Sequence, residues 1–595
     1  MMNLDLAIIG NCQISSLLDR QGRMVWTCVP RVDGDPLFCS LLSGNEVTPQ
    51  FGFYEIELID FHRSEQRYIT NTAIIETILE DRHGSAIKIT DFAPRFFQFD
   101  RMFRPIMLMR CIAPLQGSPR IRVRLRPAYN YGSAPCNTTY GSNHIRYVCP
   151  DMVLRLTTDA AVSKVIEESA FYLEEVVTLI LGPDETIPES VTKLGHEFLG
   201  ETREYWQNWV RGLSIPFEWQ QAVIRAAITL KLCTLEETGA VVAAMTTSIP
   251  ESPNSGRNWD YRYCWLRDGY FVVHALNRLG ATKTMEAFLR YIINVAADAD
   301  DEHLQPVYGV NGQTSLEERI VSSLPGYKQM GPVRIGNQAY KQTQNDVYGS
   351  VIMAVTQYFF DRRLSNPGSQ AQFERLERLG ERAASLFDQP DAGLWEYRER
   401  KRVHTFSSVM CWAACDRLAK IAMRLGLGKR ADYWRNRATA IHAKICEKAW
   451  NAKIGTFTES WGRTEVDASL LLMHELSFLA VDDPRFKSTV KTVEERLRRD
   501  QYMFRYHNLD DFGAPRTAFN VCTFWFIDAL AALGREAEAR ELFENMLEHR
   551  NSLGLLSEDI DIETSELWGN FPQTYSMVGI INSAARLSKT WEQAL

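Results

Sequence analysis

The stretch RTAFNVCTFWFIDALAALG (residues 516–534), followed at once by REAEARELFENMLEHR (535–550), decides the fold. Along the first, apolar and small residues occupy nearly every position, as in a helix buried on all sides. The second carries acids and bases on one side and Ala, Leu, Phe and Met on the other, so it has one face in solvent. Gly534 is the whole joint between them. An inner helix joined tightly to an outer one is a helical hairpin.

The same contrast recurs upstream. SSVMCWAACDRLAKIA (407–422) repeats the inner pattern, and the helical period persists from about residue 217 onward. The periodicity predicts twelve helices, at 217–236, 265–279, 282–299, 342–361, 370–386, 405–425, 427–448, 465–480, 485–500, 515–533, 535–550 and 572–588. The even-numbered ones are the more apolar, so six hairpins form an α/α barrel with the even helices inside. Connections leaving the inner helices are mostly short. Those entering them are longer: 237–264, 300–341, 387–404, 449–464, 501–514 and 551–571. With helices alternating in direction, all six longer loops fall at one end. Loops of that length in a compact domain usually carry function.

Those loops hold acids, arginines, amides and aromatics: NWDYRYCWLRD (258–268), YGVNGQTSLEER (308–319), PVRIGN (332–337), QTQND (342–346), GLWE (393–396), ESWGRTEVDAS (459–469), RYHNLDDFG (505–513) and LSEDIDIETSELWGNFPQ (556–573). No phosphate-cradling glycine loop follows a strand, and no His/Cys cluster has metal-ligand spacing. Carboxylates able to exchange protons, set among groups that grip hydroxyls, suit a carbohydrate site.

NWDYRYCWLRD, GLWE, and SED followed by GNFPQ and INSA, taken in order, resemble glycoside hydrolase family 15, which contains glucoamylases, glucodextranases and some microbial trehalases. The likeness extends to the opening AIIGNCQISSLLDRQGRMVWTCVPRVDGDPLFCSLL (7–42), similar to the N-terminal sandwich of bacterial members. It implies an inverting, exo-acting α-glucosidase that releases β-glucose. By the same likeness Glu396 matches the general acid, Glu558 the general base, and Trp265, Arg267 and Asp268 the segment that grips the terminal glucose. Inversion needs a protonated carboxyl at the leaving oxygen and an ionised one activating water on the opposite face. Leu394 and Trp395 are expected to favour the protonated form of Glu396. Asp268, beside Arg267, is expected to stay ionised. Glu558, among Asp559, Asp561 and Glu563, needs a compensating charge. Trp395, Asp346 and Trp461 are further candidates for the pocket wall.

Two departures from the family fall where the leaving group is expected. Tyr397 replaces a second Glu of the fungal enzymes, and Arg516 stands where many bacterial relatives place Glu. They leave the substrate order as malto-oligosaccharide or α-1,4-glucan first, with trehalose or isomalto-oligosaccharides behind. A non-catalytic carbohydrate sensor on the same fold is the alternative of another class. No cofactor is expected; phosphate or Mg²⁺ dependence would follow from the resemblance only if trehalose were the substrate.

Residues 1–187 alternate apolar and polar in short runs between turns, which predicts an antiparallel β-sandwich. Residues 188–215 are expected to form a helical linker, and 216–595 the barrel. The 595-residue chain has a net charge of −8, which argues against nucleic acid or an anionic membrane as partner. No run approaches a transmembrane length, and the N-terminus lacks the basic start and apolar core of a secretory signal. The 12 cysteines have no paired spacing, so reduced thiols in a cytoplasmic protein are expected. The partner expected is an oligosaccharide or disaccharide; no oligomeric state is assigned.

Overall fold

The computed structural model describes residues 3–44, 50–299 and 303–594. An N-terminal antiparallel β-sandwich precedes an (α/α)6 barrel. One sheet runs Ala7–Gly10, Ser15–Leu18, Met24–Val29, Phe53–Leu58, Arg120–Arg126 and Phe171–Tyr172, with Asp35–Phe38 beside Met24–Val29. The other has eight strands, from Asn137–Tyr140 at one edge to Phe61–Tyr68 at the other. The sequence RIRVRLR (120–126) shows why the layers meet: Ile121, Val123 and Leu125 point inward and the arginines outward. Arg122 and Arg124 then pair with Glu57 and Glu55 on the neighbouring strand.

The cysteines need one correction. Cys136 and Cys149 are joined by a disulfide. They flank the paired strands Asn137–Tyr140 and His144–Val148, whose register sets Asn137 opposite Val148 and so brings the two cysteines together. The other ten are free.

Helix Val191–Arg211 leads into the barrel. The inner ring consists of Leu266–Arg278, Asp346–Val355, Thr405–Arg424, the 3-10 turn Ala468–Met473, Asn520–Ala532 and Thr574–Leu587. Each packs against the next, and the last returns to the first, so the ring closes. Two inner elements are shorter than their periodicity predicts. The fourth is a single 3-10 segment within the expected 465–480, and its chain turns away at Ser477, which has φ of 63°. All six residues Ala468–Met473 are buried, so the apolar run expresses burial rather than helix length. In the second, Thr356 separates Asp346–Val355 from the short Gln357–Phe360.

The sandwich braces the barrel's first rim loop. Arg262, fully buried, pairs with Asp260 and donates to the Gly34 carbonyl at 2.8 Å and the Tyr131 hydroxyl at 2.7 Å. Gly326–Tyr327 of the second loop adds a parallel pairing to Ser43–Gly44.

Candidate active site

Five of the six long loops line one cavity, whose empty space including its open mouth is about 920 Å³. The fourth, 449–464, stands behind it, where Glu459 pairs with Arg402.

Glu396 reaches the cavity from a tight turn. Gly393 has φ of +69°, and a side chain there would run into the His404 ring at 2.7 Å. Glu396 itself holds φ of 60°, uncommon outside glycine, with its N–H donating to Gly393 O at 3.1 Å. The GLWE sequence is therefore a turn that turns its last residue inward. Glu396 Oε1 accepts from Trp265 Nε1 at 2.6 Å, and from Arg267 Nη2 and Gln344 Nε2 at 3.3 Å each. Every described hydrogen bond to this carboxylate goes to Oε1. Its immediate setting is thus polar donors, not the apolar neighbours the sequence offered: the indole of Trp395 is turned away to donate to Asp467 at 2.7 Å.

Glu558 lies on the opposing loop. Its backbone is fixed by bonds to Asn570 O and from Asn520 N. Oε1 accepts the Tyr261 hydroxyl at 2.8 Å, while Oε2 is buried without a partner. Burial pushes its carboxyl up; the Arg505 guanidinium and the Tyr261 hydroxyl pull the other way. Arg505 is the compensating charge the sequence left unnamed, and it pairs with Glu251. Gly569 (φ +75°) lets the chain pass beside Glu558: an added Cβ would sit 2.6 Å from Glu558 Cβ.

Trp265, Arg267, Asp268 and Trp395 also line the cavity. Arg267 donates to Gln344 Oε1 at 2.8 Å and lies 3.8 Å from Asp268. The expectation that Asp268 stays ionised is corrected: burial outweighs Arg267 and pushes it up to about 7. Its Oδ1 is the atom that faces Arg267 Nε and is buried without a hydrogen bond. Asp346 and Trp461 are not among the lining residues. Asp346 is fully buried at the start of its helix, where burial raises it to about 6; Trp461 packs against Phe387. Arg516 is exposed outside the cavity, so it does not stand at the leaving-group position.

Tyr261, Arg505, Gln344 and Arg398 are contributors that residue types alone did not single out. Tyr261 and Arg505 lay inside motifs already marked, and the signal was a hydroxyl or cation facing a carboxylate across loops far apart in sequence. Among the described residues no group of three or more His, Cys, Asp or Glu is arranged to hold a metal ion, so no residues are assigned to Mg²⁺.

Two carboxylates from opposing loops, Glu396 and Glu558, thus meet one cavity at the open end of the (α/α)6 barrel. The glycosyl hydrolases family 15 profile matches residues 219–585, and a trehalase-like N-terminal profile matches residues 4–175. The chain belongs to glycosyl hydrolases family 15. It is 31% identical to a trehalase of Mycobacterium tuberculosis, over 99% of this chain and 90% of that one. A trehalase of Thermoplasma volcanium is 29% identical over 98% and 93%. Among solved structures, a bacterial glucoamylase complexed with acarbose superposes with a TM-score of 0.71, covering 98% of this chain and 93% of that one at 13% identity, a likeness of fold. Among the described residues no helix is long and apolar enough to cross a membrane.

Proposed function

We propose that this enzyme hydrolyses α,α-trehalose with inversion, reversing the substrate order drawn from the sequence, in which malto-oligosaccharides came first. The observation that carries the reading is the chain-long similarity to relatives named trehalase, which extends through the sandwich as well as the barrel. The glucoamylase likeness, at 13% identity, speaks to architecture and not to substrate. Membership of a hydrolase family, with both carboxylates on one cavity, leaves no support for the non-catalytic sensor.

In this reading Glu558 takes a proton from water as the water oxygen bonds to the anomeric carbon. The glycosidic C–O bond breaks, and Glu396 gives its proton to the departing oxygen. One glucose leaves as the β-anomer and the other as the α-anomer. Trp265, Arg267 and Asp268 hold the ring under attack. Ten free cysteines, eight of them buried, support a cytoplasmic setting. The Cys136–Cys149 bridge weighs the other way, and thiol titration of protein taken directly from cells decides between the two.

The test is initial-rate glucose release from trehalose, maltose, maltotriose and isomaltose. Trehalose is expected to lead by about tenfold or more in kcat/KM, a difference of roughly 1.4 kcal/mol in transition-state binding. A malto-oligosaccharide in first place would overturn the reading.

A further inference from the structure

Two residues beyond Glu396, Arg398 ties four rim loops together. Its Nη2 donates to Glu318 Oε2 at 2.7 Å and its Nη1 to Glu318 Oε1 at 3.2 Å, a forked pair with the second loop. Its backbone N–H donates to Asp511 of the fifth loop at 2.6 Å. Its guanidinium lies 4.4 Å from the ring centre of Trp259 on the first loop, within cation–π range. Phe512 meets the same indole edge to face at 5.1 Å. Arg400 adds a second tie by donating to Leu509 O at 2.8 Å. Such a junction is more than an isolated surface ion pair, since its contacts reach three other loops.

Position gives this clasp its meaning. In the proposed function Glu396 is the acid beside the departing oxygen, and Arg398, two places on, lines the same cavity. Arg398, Trp259, Asp511 and Phe512 all line the cavity. The described hydrogen bonds of the guanidinium use Nη1 and Nη2; none uses Nε. Nε is thus a donor without a described partner, beside the aromatic wall of Trp259 and Phe512.

We propose that Arg398, clasped by Glu318 and Asp511, closes the leaving side to one sugar ring and donates to that ring's hydroxyls. It is thereby the residue that selects a disaccharide over a longer chain. The proposal rests on Glu396 being the acid and deepens the disaccharide reading.

Calorimetric titration of the full-length chain, carrying Glu558→Gln to block turnover, tests it with trehalose, maltose and maltotetraose. With Arg398 intact, the better-bound disaccharide is expected to exceed maltotetraose by about tenfold or more in affinity. Adding Arg398→Ala is expected to weaken that disaccharide by about 10- to 100-fold, the loss of a charged hydrogen bond, and to narrow the gap to maltotetraose. Glu318→Gln, which frees the guanidinium without removing it, narrows the gap while weakening the disaccharide less. A merely structural role would weaken all three ligands in parallel, and an unchanged ratio in both variants overturns the proposal. Preference for maltose over trehalose would instead count against the trehalose reading, while the maltose-to-maltotetraose ratio still tests the clasp.

Discussion

Tyr261 and Trp265 stand edge to face with ring centres 5.3 Å apart, and each holds one of the two carboxylates: Tyr261 donates to Glu558 and Trp265 to Glu396. The pair is a spacer. It sets the two acids on separate walls of one cavity and ties both to a single rim loop. That loop is in turn anchored to the β-sandwich through Arg262. The N-terminal domain therefore touches this rim loop at Arg262, although none of its described side chains lines the cavity.

Tyr261→Phe removes the hydroxyl but keeps the ring. A hydrogen bond to the ionised carboxylate lowers its pKa, so its loss raises Glu558 further. The acid limb of the kcat/KM profile is expected to move to higher pH, and kcat to fall by about 10- to 100-fold with KM little changed. A pH profile and kcat identical to the parent would show that the bond does not tune the base.

Gly569→Ala tests how closely Glu558, the proposed base, is packed. The added methyl meets Glu558 Cβ at 2.6 Å and Oε2 at 2.7 Å, on a backbone with positive φ. Activity is expected to fall by about 100-fold or more, because a displaced base loses its aim on water. Parallel thermal melts separate this from unfolding: a loss of activity with Tm within a few degrees of the parent marks a local displacement.

These two residues also mark where sequence legibility ends. The barrel was readable because inner and outer helices differ in how far round they are apolar, and the site because long loops gather at one end. Glu396 and Glu558 came from motif likeness, and the structure places both on one cavity. Tyr261 and Arg505 were visible as letters, but their partners lie 297 residues away for Tyr261 and 254 for Arg505. No local pattern encodes a contact of that kind. Trp461 was an equally plausible letter and faces Phe387 instead. The helix expected at 465–480 failed for another reason: an apolar run records burial, which a single 3-10 turn satisfies as well as four turns of α-helix.

The contribution of Asp391 to stability is expected to fall as pH rises from about 4 to about 7. Asp391 lies in the third loop, accepting from Ser407 Oγ at 2.7 Å and Asn345 N at 2.8 Å, with Oδ1 lacking a hydrogen bond. Burial pushes it up to about 7 from 3.8. Between those values the folded chain keeps a proton that the unfolded chain has released, so raising pH favours unfolding. Asp268 and Asp467, each pushed up to about 7 by burial, act in the same direction. Asp391→Asn is expected to flatten the fall of Tm between pH 5 and pH 8 measured by calorimetry. An equally steep fall in the variant would show that Asp391 is ionised throughout.

The most direct test of the central claim is proton NMR of the enzyme with trehalose, read within the first minutes, before the anomers equilibrate. Inversion by Glu396 and Glu558 predicts α- and β-glucose appearing together in equal amounts. Early α-glucose alone would mean retention, and would contradict the assignment of Glu558 as the base that activates water.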